Sequence, residues 1–217
     1  MTEVRGADPG RLLAVAVVVG IGLGIFSILA DGIVGGRLIG ILGNIAAPWG
    51  LAAFLVGLRT TSLRRGAIAG GLALVVGVAT YYLGTAVRGY VAGAANVVWT
   101  VVALVTGPIM GTSGAAISAR RSRPPLVAVA APAAMLVGEA LFFLYDRRVW
   151  RYDLVAQPYR FVDLGVAAAL LALGLLLPAL FVKDRRRRAR VYLLVAAAGV
   201  CGAVALVWLQ RFIVAIV

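Results

Sequence analysis

The sequence predicts an all-α protein, a polytopic transmembrane helical bundle of about seven spans, and three observations carry that reading. Of 217 residues, 63% are hydrophobic, which is about 137 side chains and close to what seven spans of ~20 residues require. Charged residues make up only 13% and the mean hydropathy is +1.02, whereas about one quarter of a soluble chain is charged. The apolar residues also fall into seven runs of at least 19 residues, each enough at ~1.5 Å per residue to cross a ~30 Å hydrocarbon core.

The first run, Leu12 to Ala30, follows a short N-terminal segment, residues 1–11, with Arg5 and Arg11. It exceeds the ~7 to 15 residues of a signal-peptide core, and Glu3 and Asp8 interrupt the basic flank, so it reads as a retained helix. The second, Leu38 to Leu58, lies between Arg37 and Arg59, and the third, Gly66 to Val87, between Arg65 and Arg88. Tyr90 to Ser118 ends before Arg120, and Leu126 to Tyr145 begins after Arg123. A loop at 146–160 precedes Phe161 to Val182, and the basic loop 183–190 precedes Val191 to Leu209. The expectation is one transmembrane helical domain over residues 1–217.

Charge orients this bundle. The net charge of +13 and pI near 11.3 would suggest nucleic acid as a partner in a soluble protein, but the cations segregate by loop. With the N-terminus inside, 14 of the 21 cations fall on inner segments and seven, among them Arg37, Arg88, Arg147, Arg148, Arg160 and Arg211, on the outer side. That asymmetry predicts N-inside and C-outside, with no nucleic-acid partner. The run KDRRRRAR, Lys183 to Arg190, reads either as a docking patch for anionic lipid or a partner protein, or as a short loop that fixes topology. Its eight residues, tethered at both ends, favour the second.

Reactive chemistry is sparse. The chain has no histidine, and its one cysteine, Cys201, sits inside an apolar run, so no metal site, redox pair or cofactor is expected. Histidine-dependent serine hydrolysis is excluded, although GTSG at 111–114 sets a serine among glycines. No catalytic residue is assigned, and the chain is expected not to be an enzyme.

Two stretches depart from plain apolar helix. In DGIVGGRLIGILGNIAAPWG, residues 31–50, Gly32, Gly36 and Gly40 recur every fourth residue, which predicts a helix-packing face. Gly43, Asn44, Pro48 and Trp49 fit either close packing or a discontinuous helix with freed backbone groups. The second stretch is TGPIMGTSG, residues 106–114. WGLAAFLVG at 49–57 also echoes WTVVALVTG at 99–107, which suggests a parallel helix duplication.

Converting position to depth groups the polar residues. Asn44 and Asn96 each lie ~9 Å below the outer end of an inward-running helix. Tyr81 and Tyr82 lie near the outer end of the third run, with Arg88 at its exit, and Glu139 lies ~20 Å from the inner side of the fifth. An ionisable group inside a span marks a cavity or a partner, and Arg88 is the expected partner of Glu139, with Arg147 or Arg148 as alternatives. The expected ligand-binding set is Glu139, Asn44, Asn96, Arg88, Tyr81, Tyr82, Trp49 and Trp99. An interhelical structural hydrogen bond explains Glu139 equally well. Asp163 is expected at the interface.

The motifs GNIAAPWGLAAFLVG (43–57), YYLG (81–84), GPIMG (107–111) and GEALF (138–142), in this order, resemble an actinobacterial family of uncharacterised membrane proteins, domain-of-unknown-function family 6518. The resemblance runs from the first run through the fifth. It implies a multi-pass protein of the bacterial inner membrane and supplies no site residues. Two functions compete: binding or transport of a small solute through an outward-facing polar pocket, and a non-catalytic assembly partner of another membrane protein or of a second copy.

Overall fold

The computed structural model describes residues 8–32, 37–89, 93–120, 122–146 and 159–216, and every regular element among them is helical. The helices are α1 (Pro9–Gly32), α2 (Arg37–Asn44), α3 (Ala46–Gly57), α4 (Leu63–Val87), α5 (Ala94–Ala119), α6 (Leu126–Asp146), α7 (Tyr159–Phe181) and α8 (Arg185–Ile216). Six are long and apolar enough to cross a membrane, and α2 with α3 adds a seventh if the bent pair counts as one span.

Local sequence explains several ends. Asp8 caps α1, accepting from the Gly10 N–H at 3.3 Å, and Pro9 takes the first helical position, where its missing N–H costs nothing. Ser62 caps α4 through the Arg65 N–H. Asp184 caps α8, accepting from the Arg186 N–H at 2.8 Å. That cap corrects one expectation: the basic run is not a loop, because α8 starts at Arg185 and absorbs five of its arginines, leaving residues 182–184 as the connection.

The second apolar run is also two helices rather than one, meeting at a 57° bend. Pro48 supplies the cause. A proline ring collides with the carbonyl four residues earlier, here Asn44, and it has no N–H to donate. Ile45 is accordingly extended, at φ −98° and ψ 151°, and α3 restarts at Ala46.

The helices pack as two groups. One contains α1, α3, α4 and α5, with α2 against α1; the other is α6 with α7 and α8, joined to the first where α6 meets α3 and α5. Glycine sets the tightest seam. Gly66 and Gly70 of α4 face Gly107 and Gly111 of α5 so closely that a Cβ on Gly111 would collide with the Gly66 carbonyl, and Gly57 of α3 abuts Gly111 as well. The expected Gly32, Gly36 and Gly40 face is not a single helix face. Gly32 ends α1, Gly40 lies in α2, and Gly36 lies outside the described residues. A Cβ on Gly40 would meet the Ala30 carbonyl at an ordinary 3.7 Å, whereas one on Gly43, one turn on, would collide with the Ala30 side chain. The echoing segments belong to neighbouring helices, α3 and α5, which run in the same direction.

Candidate functional site

A broken helix inside an apolar bundle exposes backbone donors and acceptors that lipid cannot satisfy. Here each side of the break is met by side chains from other elements. On the α2 side, the buried Ser27 hydroxyl of α1 donates to the Gly43 carbonyl at 2.7 Å. The Asn44 amide donates to the Gly40 carbonyl at 2.9 Å and to the Asp31 carboxylate at 2.6 Å. On the α3 side, Ile45 stands at the N-cap with no side-chain acceptor of its own. Glu139 of α6 supplies it: its carboxylate accepts from the Ala46 and Ala47 N–H groups together, while Pro48 has no N–H to satisfy. A helix N-terminus carries partial positive charge, so a carboxylate there is favourable as well as bonded. Glu139 is 4% exposed.

This corrects the expected partner of Glu139. Arg88 caps α4 and donates to the Ile28 carbonyl at 3.1 Å, near the C-terminal end of α1, where a cation complements the helix dipole. Gly32 lies beside that guanidinium, where a Cβ would stand 3.3 Å from it. Arg147 and Arg148, like the rest of residues 147–158, lie outside the described residues.

Beside the break lies a cavity of about 830 Å³ at the junction of the two helix groups. Six of the eight expected residues line it: Glu139, Asn44, Tyr81, Tyr82, Trp49 and Trp99. Asn96 and Arg88 do not. Asn96 stands one turn before Thr100, whose hydroxyl donates to the Asn96 carbonyl at 2.7 Å. Most polar groups gather near the broken helix, while the remaining walls, Thr106 apart, are apolar or small, including Val78, Met110, Met135, Gly202 and Leu206. α5 and α8 both contribute wall residues yet touch each other only slightly.

The Tyr81 hydroxyl donates to the Asp31 carboxylate at 2.6 Å, so Asp31 joins α1, α2 and α4 at the rim. Tyr81 and Tyr82 meet edge to face, with centroids 5.1 Å apart. Asp31 and Ser27 were absent from the expected set. A signal for them exists: Gly20, Gly24, Ser27 and Asp31 follow a four-three-four spacing that places them on one face of α1. Gly20 and Gly24 pack against α4 along that face. Asp163, expected near the interface, lies in the first turns of α7 and is 2% exposed. It shares its helix face with Val166 and Ala167, which pack into the α2 and α6 core with Ile41 and Leu136.

Among the described residues, no group of three or more metal-ligating His, Cys, Asp or Glu side chains converges. A protein-family model described as Family of unknown function (DUF6518) matches residues 4–212, so the likeness extends well past the fifth apolar run. No curated protein and no solved structure is significantly similar to the chain.

Proposed function

Because this chain belongs to that family, whose function is unknown, its activity must be read from its own cavity, and we propose that it binds a small amphipathic solute in a membrane. The observation that carries this reading is the convergence of six polar and aromatic residues on one cavity beside a broken helix. Broken helices at cavities are a recurrent device of solute-binding membrane proteins. The walls suit an apolar body, and the end bearing Asn44, Tyr81 and Glu139 suits a polar head.

The reading includes seven spans, with α2 and α3 as one, an N-terminus on the cytoplasmic side and the cavity in the outer half of a bacterial inner membrane. The 14-to-seven cation asymmetry supports that orientation. The protein is then a binder or carrier and not an enzyme, in keeping with a chain that has no histidine.

The test is a thermal-shift screen of amphipathic metabolites against detergent-purified parent, Trp99→Ala and Asn96→Ala proteins. A ligand should stabilise the parent and Asn96→Ala alike, and bind Trp99→Ala on the order of tenfold more weakly, because a stacking wall is removed. Equal shifts in all three, or none in the parent, would sink the proposal. A stoichiometric partner protein retained in mild detergent, without any ligand response, would favour assembly instead.

A further inference from the structure

A second cavity, of about 1050 Å³, lies at the opposite end of the bundle, where α3, α5 and α7 end and α8 begins. Its floor is apolar, formed by Leu58, Ile117, Leu180 and Phe181. Its rim carries Arg123, Lys183 and Arg187, with Ser118 and Ser122 beside them. The acidic group there, Asp184, is committed to the α8 N-terminus, where it accepts from Arg186 and Arg187 N–H groups. Three cations thus face one engaged carboxylate.

The basic run divides its labour at this point. Arg188 turns back on the connection from α7, donating to the Val182 carbonyl at 2.8 Å and to the Lys183 carbonyl at 3.3 Å. Arg187 reaches across to the α5–α6 connection and donates to the Pro124 carbonyl at 2.9 Å. That bond holds its guanidinium over the cavity with further N–H donors available, since a guanidinium carries five. A topology-setting loop would need only charge. An arginine braced between two connections, beside two more cations and above an apolar floor, forms a shaped receptor.

We propose that this cavity binds the phosphate of an anionic phospholipid, with the cations on the phosphate and the acyl chains along the apolar floor. The floor belongs to the ends of helices long enough to span a membrane, which places it where headgroup meets hydrocarbon. A water-soluble phosphate would leave that floor unused. The inference rests on the membrane embedding proposed above and is independent of any ligand of the first cavity.

The experiment measures lipid retention by native mass spectrometry, and thermal stability in neutral detergent, with phosphatidylglycerol, phosphatidylcholine or glycerol phosphate added. The parent should retain phosphatidylglycerol in preference to phosphatidylcholine and respond little to glycerol phosphate. Arg123→Gln with Lys183→Gln should weaken phosphatidylglycerol binding roughly thirtyfold, whereas Arg185→Gln with Arg190→Gln, equal in charge but off the cavity, should change it little. Equal losses in both pairs would mean diffuse attraction and overturn the site. No preference between the two lipids would overturn it from the parent alone, whatever the variants' folding. Equal stabilisation by glycerol phosphate would overturn the lipid assignment in favour of a soluble phosphate. A ligand response at the first cavity, read separately, is unaffected by any of these results.

Discussion

The break between α2 and α3 and the seam between α4 and α5 are both rich in glycine, yet they solve different problems. At the seam, intact helices press backbone against backbone, and Gly66, Gly70, Gly107 and Gly111 are there because nothing larger fits. At the break the helix is interrupted, and what matters is who receives the freed groups: Ser27 for the Gly43 carbonyl, Glu139 for the Ala46 and Ala47 N–H groups. The contrast teaches that glycine in a membrane-type helix signals approach, whereas a break is identified by the polar side chains gathered around it. Prolines make the same point. Pro108, Pro132 and Pro178 sit within continuous helices, and among the described residues only Pro48 coincides with a break, the place where α6 presents a carboxylate.

The largest effect belongs to Glu139. Glu139→Ala strands one buried and one half-buried donor and should cost about 3–5 kcal/mol, read as a shift in the unfolding midpoint on titration with denaturing detergent. Glu139→Gln, which keeps one acceptor oxygen, should lose about half as much. An alanine variant as stable as the parent would show that the break does not need this cap. Next comes the seam: Gly111→Ala drives a Cβ into the Gly66 carbonyl and should cost about 2–3 kcal/mol in the same titration. Gly22→Ala meets no neighbour within 4 Å and should be neutral or stabilise by about half a kcal/mol. Similar losses at both glycines would erase the distinction between seam and surface glycine. Among the substitutions that remove a contact, the smallest loss is expected for Ser27→Ala, about 1–2 kcal/mol, because one carbonyl at the break goes unbonded. A loss above that of Glu139→Ala would reverse the ranking of the two sides of the break.

Six of the residues that line the cavity could be picked out from the sequence, for a physical reason. A polar residue in an apolar run is costly facing lipid, so Asn44, Tyr81, Tyr82 and Glu139 had to turn inward, and residues of similar depth that turn inward meet. The same rule does not reach residues near helix ends, where solvent and the free carbonyls of neighbouring helices offer alternatives. Arg88 accordingly went to the Ile28 carbonyl rather than to the cavity, and Asn96 stayed outside it. Asp31 stands at the end of α1, where a charge is ordinary, yet its two hydrogen bonds tie three helices together.

From the sequence alone came the all-helical class, the approximate number and limits of the apolar segments, and the segregation of cations. These follow from local quantities: the length of an apolar run, the charge at its ends and the residue types that caps require. Only the tertiary structure decided which proline breaks a helix, which glycines touch, and that Glu139 serves an N-terminus more than 90 residues away. Those outcomes depend on which helices become neighbours, and in a chain whose apolar faces are nearly uniform, periodicity carries little information about that choice. Backbone close approach and the satisfaction of freed hydrogen-bonding groups make the choice, and both exist only once the helices have met.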